Sequence, residues 1–323
     1  MVESENGYVP QKGYLRSEME KIADLKKPGM PEWELIEFDT LLDSSNVSVK
    51  EWNKIAGVIS DCYDMYDGFV VLHGTDTMAY TASALSFMLN GLNKPVVLTG
   101  SQIPIGHVRS DAHDNIVSAA LIAADTRCPE VTLCFAGVLL RGNRSTKVSA
   151  DELIAFDSPN YPHLASLGID IRYNGKFIMP PGAGLRVNLL EEDIPVAVLK
   201  IFPGIQFRLF EGIMTEELKG LVLEGFGTGN VPQGDDALIP LLNKAVDNGT
   251  VIVVCTQCLK SSALLGTYEV SRSLKQAGAV NGADLTAEAA VTKLYYLFSN
   301  CTDVNQIKDA MASDIRGEMT PSL

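Results

Sequence analysis

Basic residues are scarce in this chain: 26 Lys and Arg stand against 40 Asp and Glu, a formal net charge of −14 over 323 residues. A nucleic-acid binder needs a basic footprint, so that class is excluded. No apolar run approaches the roughly 18 residues of a spanning helix, and no membrane partner is expected. The opening MVESENGYVP has neither a basic n-region nor an apolar h-region and reads as no secretory signal. Six cysteines (Cys62, Cys128, Cys134, Cys255, Cys258, Cys301) are too few for a disulfide framework, and stretches such as VTLCFAG and VIVVCTQC treat them as small hydrophobes. A reducing, cytoplasmic location follows. Cys255 and Cys258 form a lone C-x-x-C with no second pair or nearby histidine, more simply a strand end in a core than a metal site.

What is abundant is apolar: 46% of the residues are hydrophobic, enough for large cores and about two domains. From 33 to about 145, strand-like runs alternate with amphipathic segments. WELIEFD (33–39) alternates like a strand. Ser48 and Glu51 form a capping box for a helix reaching about Tyr66, with Trp52, Ile55, Ala56 and Ile59 on its inner face. GFVVLHG (68–74) has the continuous apolar run of a fully buried strand. A helix over 77–91, a strand over 94–100, a helix over 110–126 and a strand over 130–140, bent at Gly137, complete a βαβ series.

Residues 176–194, with MPPGAG and LLEEDIP, read as a linker, with a short strand pair around 168–179 and 184–190. Alternation resumes with strands at 196–202, 219–226 and 250–257. Helices fall near 205–214 and at 234–248, 269–277, 286–300 and 303–314, with Tyr295, Tyr296 and Phe298 facing the core. The expected fold is two-domain α/β: a larger N-terminal domain (1–175) with a mostly parallel sheet flanked by helices, and a smaller C-terminal α/β domain (195–323).

In open parallel sheets, ligands bind beyond the carboxyl ends of the strands. Those ends carry Asp43-Ser44-Ser45, His73-Gly74-Thr75-Asp76-Thr77, Gly100-Ser101-Gln102, Arg141 to Lys147, and Gly227-Thr228-Gly229-Asn230. Hydroxyls, an acid and a lysine can together activate a nucleophile: a desolvated lysine accepts a hydroxyl proton, and a carboxylate fixes a substrate ammonium. Each also has a plainer reading. Thr75-Asp76-Thr77 and Asp111 are good helix caps, the serines suit loops, Lys147 could be a solvated loop lysine, and His73 a structural histidine. The glycine-rich 227–230 lacks a Walker lysine and G-x-G-x-x-G spacing, so it is no phosphate loop. The pattern by itself reaches a hydroxyl-rich α/β enzyme and stops.

Asp67 to Ala79 (DGFVVLHGTDTMA) resembles the second signature of the L-asparaginase family. GYVP (7–10), LLDSS, KPVVLTGSQIP, RGNRSTK, FGTGN and RGEMTP (316–321) match in order over nearly the whole chain. The chain most resembles the bacterial cytoplasmic type I enzymes. The resemblance implies hydrolysis of L-asparagine to L-aspartate and ammonia by threonine-based covalent catalysis, without metal or cofactor. It implies that Thr75 is the second catalytic threonine and Lys147 its proton acceptor. Asp76 would bind the substrate ammonium, and Ser44 the carboxylate, with Ser45 beside it. Ser101 would lend a carbonyl near the leaving amide, and Tyr8 would belong to a mobile lid. Asn230 would reach the site of a neighbouring subunit, making a homodimer or homotetramer with shared active sites. The family also places a strand and a T-G-G-T turn with the primary nucleophile ahead of the tyrosine matching Tyr8. No residue here matches them, so an N-terminally truncated chain is expected, with Met1 an internal methionine and little turnover. The alternative is a catalytically inactive homologue that binds asparagine or aspartate. A related subunit that liberates ammonia for tRNA amidation would need a basic RNA surface, which the charge opposes.

Overall fold

The structure, a computed structural model, describes residues 2–4, 7–232, 238–266 and 269–321, with the backbone alone for 2–8 and 269–270. The chain folds as two compact units, Met1–Val187 and Asn188–Leu323.

In the first unit, β1 (Val2–Ser4) pairs antiparallel with β2 (Gly7–Val9). Helix α1 (Tyr14–Met19) follows, then α2 (Val49–Asp61). The capping box is present at the head of α2: Ser48 donates its backbone N–H and its hydroxyl to the Glu51 carboxylate at 2.9 and 2.6 Å, and Trp52, Ile55, Ala56 and Ile59 are buried as their spacing requires. Next come β3 (Phe69–Leu72), α3 (Met78–Met88), β4 (Leu89–Asn90), β5 (Val96–Thr99), α4 (Ala112–Ala123), β6 (Val131–Phe135) and β7 (Val138–Arg141). Strands β8 (Thr146–Lys147), β9 (Phe156–Asp157), β10 (Ala165–Leu167), β11 (Ile171–Tyr173) and β12 (Arg186–Val187) complete the unit. The main sheet runs β11-β10-β7-β6-β5-β3. Strands β3, β5 and β6 are parallel, as right-handed crossovers through α3 and α4 dictate. Helix α3 is buried on every side, which explains its lack of a polar stripe.

Four details differ from expectation. Residues 33–39 form no strand. Trp33 and Leu35 pack inward, but the segment is tied down by Arg16 donating to Leu35 O at 2.7 Å and Gly13 N–H donating to Glu37 at 3.2 Å, with no ladder. Strand β3 is half-buried, because among the described residues it is an edge strand that pairs with β5 alone. The bend at Gly137 is a hairpin turn: Ala136 and Gly137 both have positive φ, 47° and 78°, the geometry of a two-residue turn. Strand β7 therefore returns antiparallel to β6. The short strand pair is 165–167 with 171–173, while 186–187 pairs with β4. The chain passes between units at Val187–Asn188, inside the 176–194 segment.

The second unit has a parallel sheet of β13 (Val196–Lys200), β14 (Gly220–Gly225), β15 (Val251–Thr256) and β16 (Val280–Asn281), in that order. Its helices are α5 (Leu238–Asp247), α6 (Glu269–Gln276), α7 (Ala287–Asn300) and α8 (Val304–Met311). The helix expected near 205–214 is a single 3-10 turn, Phe207–Phe210. Two cores flank the sheet, one built on Leu221, Leu223, Ile252 and Val254, the other on Val222, Val251 and Val253. The opposite assignments of alternate residues show β14 and β15 buried on both faces. Tyr296 and Phe298 pack on the second core. No described helix is long and apolar enough to cross a membrane. The mixed α/β fold expected from sequence is thus observed.

Candidate active site

Strand β3 ends at Leu72, and the chain turns through His73-Gly74-Thr75-Asp76-Thr77 into α3. Gly74 is required there. A Cβ on it would meet the Ser44 hydroxyl at 2.6 Å, so its absence lets the 43–46 turn lie against the turn carrying Thr75. Thr77 draws the two together by donating its hydroxyl to Ser44 O at 2.7 Å. It makes no side-chain cap to its own helix, so capping does not account for this residue. Ser44 is buried. Ser45 donates its backbone N–H and hydroxyl to Asp43, both at 2.9 Å, and those bonds hold the Asp43 carboxyl below its ordinary pKa.

Lys147 reaches the same turn from β8, which pairs with β9 through Lys147 opposite Phe156. The loop before it is packed into the unit: Asn143, Arg144 and Ser145 are buried, and Arg144 lies over the Tyr161 ring at 4.9 Å. Lys147 Nζ donates to Thr75 Oγ1 at 2.9 Å and to Asp76 Oδ1 at 2.7 Å. The lysine side chain is 20% exposed and the aspartate 62%. A pair so exposed contributes under about 1 kcal/mol to stability, so folding alone gives little reason to hold a hydroxyl, an amine and a carboxylate within hydrogen-bonding distance. Of the residues singled out in the sequence, Thr75, Asp76 and Lys147 are thus in direct contact, and Ser44 abuts their turn.

His73 has a structural arrangement. Trp52 Nε1–H donates to Thr81 Oγ1 at 3.0 Å, the Thr81 hydroxyl lies 2.9 Å from His73 Nε2, and His73 Nδ1 lies 2.7 Å from Gly74 O. Every group is satisfied if the neutral ring carries its proton on Nδ1. Burial pushes the His73 pKa down, consistent with that neutral form.

Ser101 follows Gly100 at the end of β5. A Cβ on Gly100 would meet His73 O at 2.1 Å, so the ends of β3 and β5 approach through this glycine. Asp111 makes no side-chain cap to α4, contrary to the capping expectation. Its carboxylate accepts the N–H groups of Gln102 and Ile103 at 3.0 and 2.9 Å. Sequence reading missed this use of Asp111, of Asn115 beside it, and of Gln102. The i, i+4 spacing of Asp111 and Asn115 on one face of α4 is the signal that could have found the first two.

Asn230 lies in the second unit, in the loop after β14. Phe226 and Asn230 bridge each other, and the Asn230 side-chain oxygen and Thr228 hydroxyl are buried without a hydrogen bond. Cys255 is buried and Cys258 exposed. Tyr8 lies in β2 opposite Glu3, and its side chain is outside the described part.

Comparison with known proteins agrees with the motifs. Residues 1–179 match the family described as Asparaginase, N-terminal, and residues 195–311 match the Glutaminase/Asparaginase C-terminal domain. The chain belongs to the asparaginase family. It is 44% identical to L-asparaginase 1 of Escherichia coli K12 over 321 residues, 99% of this chain and 95% of that protein. The crystal structure of L-asparaginase I from Vibrio cholerae superposes with a TM-score of 0.90 at 39% identity, covering 99% of this chain and 95% of that one. The thermostable L-asparaginase of Thermococcus kodakarensis gives 0.87 at 31%, covering 99% and 96%. The two domain matches fall on the two α/β units of this asparaginase-family fold.

Proposed function

We propose that this protein is an L-asparagine amidohydrolase of the threonine type, converting L-asparagine and water to L-aspartate and ammonia, with Thr75 as its second catalytic threonine and the primary nucleophile assigned to no residue of this sequence. The observation that carries the reading is the Thr75–Lys147–Asp76 contact at the carboxyl end of β3. In its neutral amine form, Lys147 receives the proton of the Thr75 hydroxyl and becomes the ammonium, so that Thr75 can take part in proton transfer at the substrate amide. Asp76 binds the substrate's α-ammonium. Its 62% exposure leaves an oxygen open to an incoming cation, and capture of that cation loosens Lys147 from Asp76, leaving Thr75 as its partner. Ser44, with Ser45, receives the α-carboxylate, and the Ser101 carbonyl faces the leaving amide. Tyr8 belongs to the segment that closes over the substrate.

Assembly follows from Asn230. A buried amide oxygen without a donor is unusual in a folded chain, and a partner subunit's active site would supply one. This supports a homodimer or homotetramer with shared sites as the functional particle. Six free cysteines support a reducing, cytoplasmic location.

The test is ammonia release from L-asparagine, followed alongside calorimetric binding. Turnover that is lost in Lys147→Met while binding persists supports the amidohydrolase. Binding of asparagine with no ammonia from the unaltered protein would mark an asparagine-binding homologue.

A further inference from the structure

Asp111, Asn115 and Gln102 lie outside the proposed machinery, yet their bonds run between the elements that carry it. Asn115 is 3% exposed, and both ends of its amide are used. Its Nδ2 donates to Gly100 O at 3.0 Å and to Asp111 Oδ2 at 3.1 Å, while its Oδ1 accepts Ala136 N–H at 3.0 Å. One side chain thereby joins the end of β5 to the left-handed turn between β6 and β7. Asp111, one helical turn earlier, receives two consecutive amides of the loop that leaves β5. The 100–103 segment is thus fixed at three backbone groups from a single face of α4.

Gln102 extends this support to the lysine. Its backbone is held by Asp111, and its side-chain amide donates to Glu152 O at 3.1 Å and Ser149 O at 3.5 Å. Residues 149–152 are the tip of the arm that leaves Lys147. The Ser149 hydroxyl accepts Asp151 and Glu152 N–H at 3.2 and 2.9 Å, and Val148 N–H returns to Ala155 O at 2.8 Å. The tip is a closed unit, and Gln102 grips it by its carbonyls.

We infer that Gln102 is a positioning residue: it couples the Ser101 loop, braced by Asp111 and Asn115, to the Lys147 arm, and so keeps Lys147 Nζ on Thr75. This rests on the amidohydrolase reading for its catalytic consequence, though not for its structural one. Among the described residues Gln102 makes no hydrogen bond to Thr75, Lys147, Ser44 or Asp76, so its loss should act on proton transfer more than on substrate capture. A misplacement on the order of 1 Å costs up to about a hundredfold in rate.

The experiment is Gln102→Met in the 323-residue chain, a partly exposed position where a side chain of similar length keeps the packing. Two readouts are needed. Hydrogen exchange over 148–152 should rise about tenfold relative to the parent while β14 and β15 stay unchanged, since the arm tip loses its tether. The kcat for asparagine should fall about tenfold with KM changed less than about twofold, because the lysine moves and the clamp does not. Unchanged exchange over 148–152, or raised exchange with an unaltered kcat, overturns the inference. If the unaltered protein releases no ammonia, the amidohydrolase reading has failed, and exchange alone then decides whether Gln102 tethers the arm.

Discussion

Each unit holds a lysine against a carboxylate at nearly the same distance, and the two pairs have opposite surroundings. Lys147 and Asp76 meet at 2.7 Å with 20% and 62% of their side chains exposed. Lys293 and Glu318 meet at 2.5 Å with both fully buried. Lys293 also donates to Ser313 O at 2.5 Å and Met311 O at 3.3 Å, and Glu318 accepts Arg316 N–H at 2.6 Å, so every charge in the second pair has fixed partners and none faces solvent. Burial there holds Lys293 below its ordinary pKa, and the ammonium of Lys293 holds the Glu318 carboxyl down. The pair clips the C-terminal 315–319 segment to α7. The same two functional groups are thus sealed into the fold in one unit and left partly open to solvent in the other. Burial and saturation of hydrogen bonds, more than distance, separate the two uses.

The comparison can be broken at either end. Thr75→Val removes the hydroxyl that Lys147 holds, and ammonia release is expected to fall by about 10²- to 10⁴-fold, read in a coupled ammonia assay, with thermal unfolding unmoved. Lys293→Met should do the reverse. It strands the Glu318 charge in the core, costing about 3–5 kcal/mol in the unfolding of the C-terminal unit by urea, with turnover per folded molecule retained. Asp76→Asn should raise KM for asparagine about tenfold or more, the loss of one charged partner to the ammonium.

A smaller effect sharpens the role of the first unit's polar framework. His73 has a folded-state pKa below its unfolded value because burial disfavours the imidazolium. The unfolded chain therefore binds the proton first, and the stabilisation is complete above about pH 6.5 and declines as pH falls through that value. A His73→Gln variant should show a flatter fall in unfolding temperature between pH 7 and pH 5 than the parent. The smallest expected change is at Cys258. It should react with a thiol reagent in the native protein, while Cys255, buried and with its thiol pushed up to about 12, should stay unmodified until unfolding.

Much of this was legible in the sequence because local rules were obeyed. The Ser48–Glu51 box, the parallel strands β5 and β13 to β15, and the clustering of strand-end loops follow from spacing and composition. The contact of Thr75, Asp76 and Lys147, 72 residues apart at its ends, needed the resemblance, since a loop lysine and a helix cap leave the same local signal. Residues 33–39 misled because alternating burial marks a half-covered segment whether or not a ladder partner exists. The Ala136-Gly137 hairpin was missed because its first residue is an alanine at positive φ, where turn chemistry favours Gly, Asn or Asp. Strand β3 looked central from its apolar run, and edge position depends on neighbours that no local window contains.

The most direct test is Lys147→Met assayed in parallel for ammonia release from L-asparagine and for thermal unfolding. The account predicts a loss of turnover of about 10²-fold or more with an unfolding curve that overlays the parent's, because an exposed pair contributes little to stability. Full turnover in the variant, or a stability loss as large as that of Lys293→Met, would contradict it.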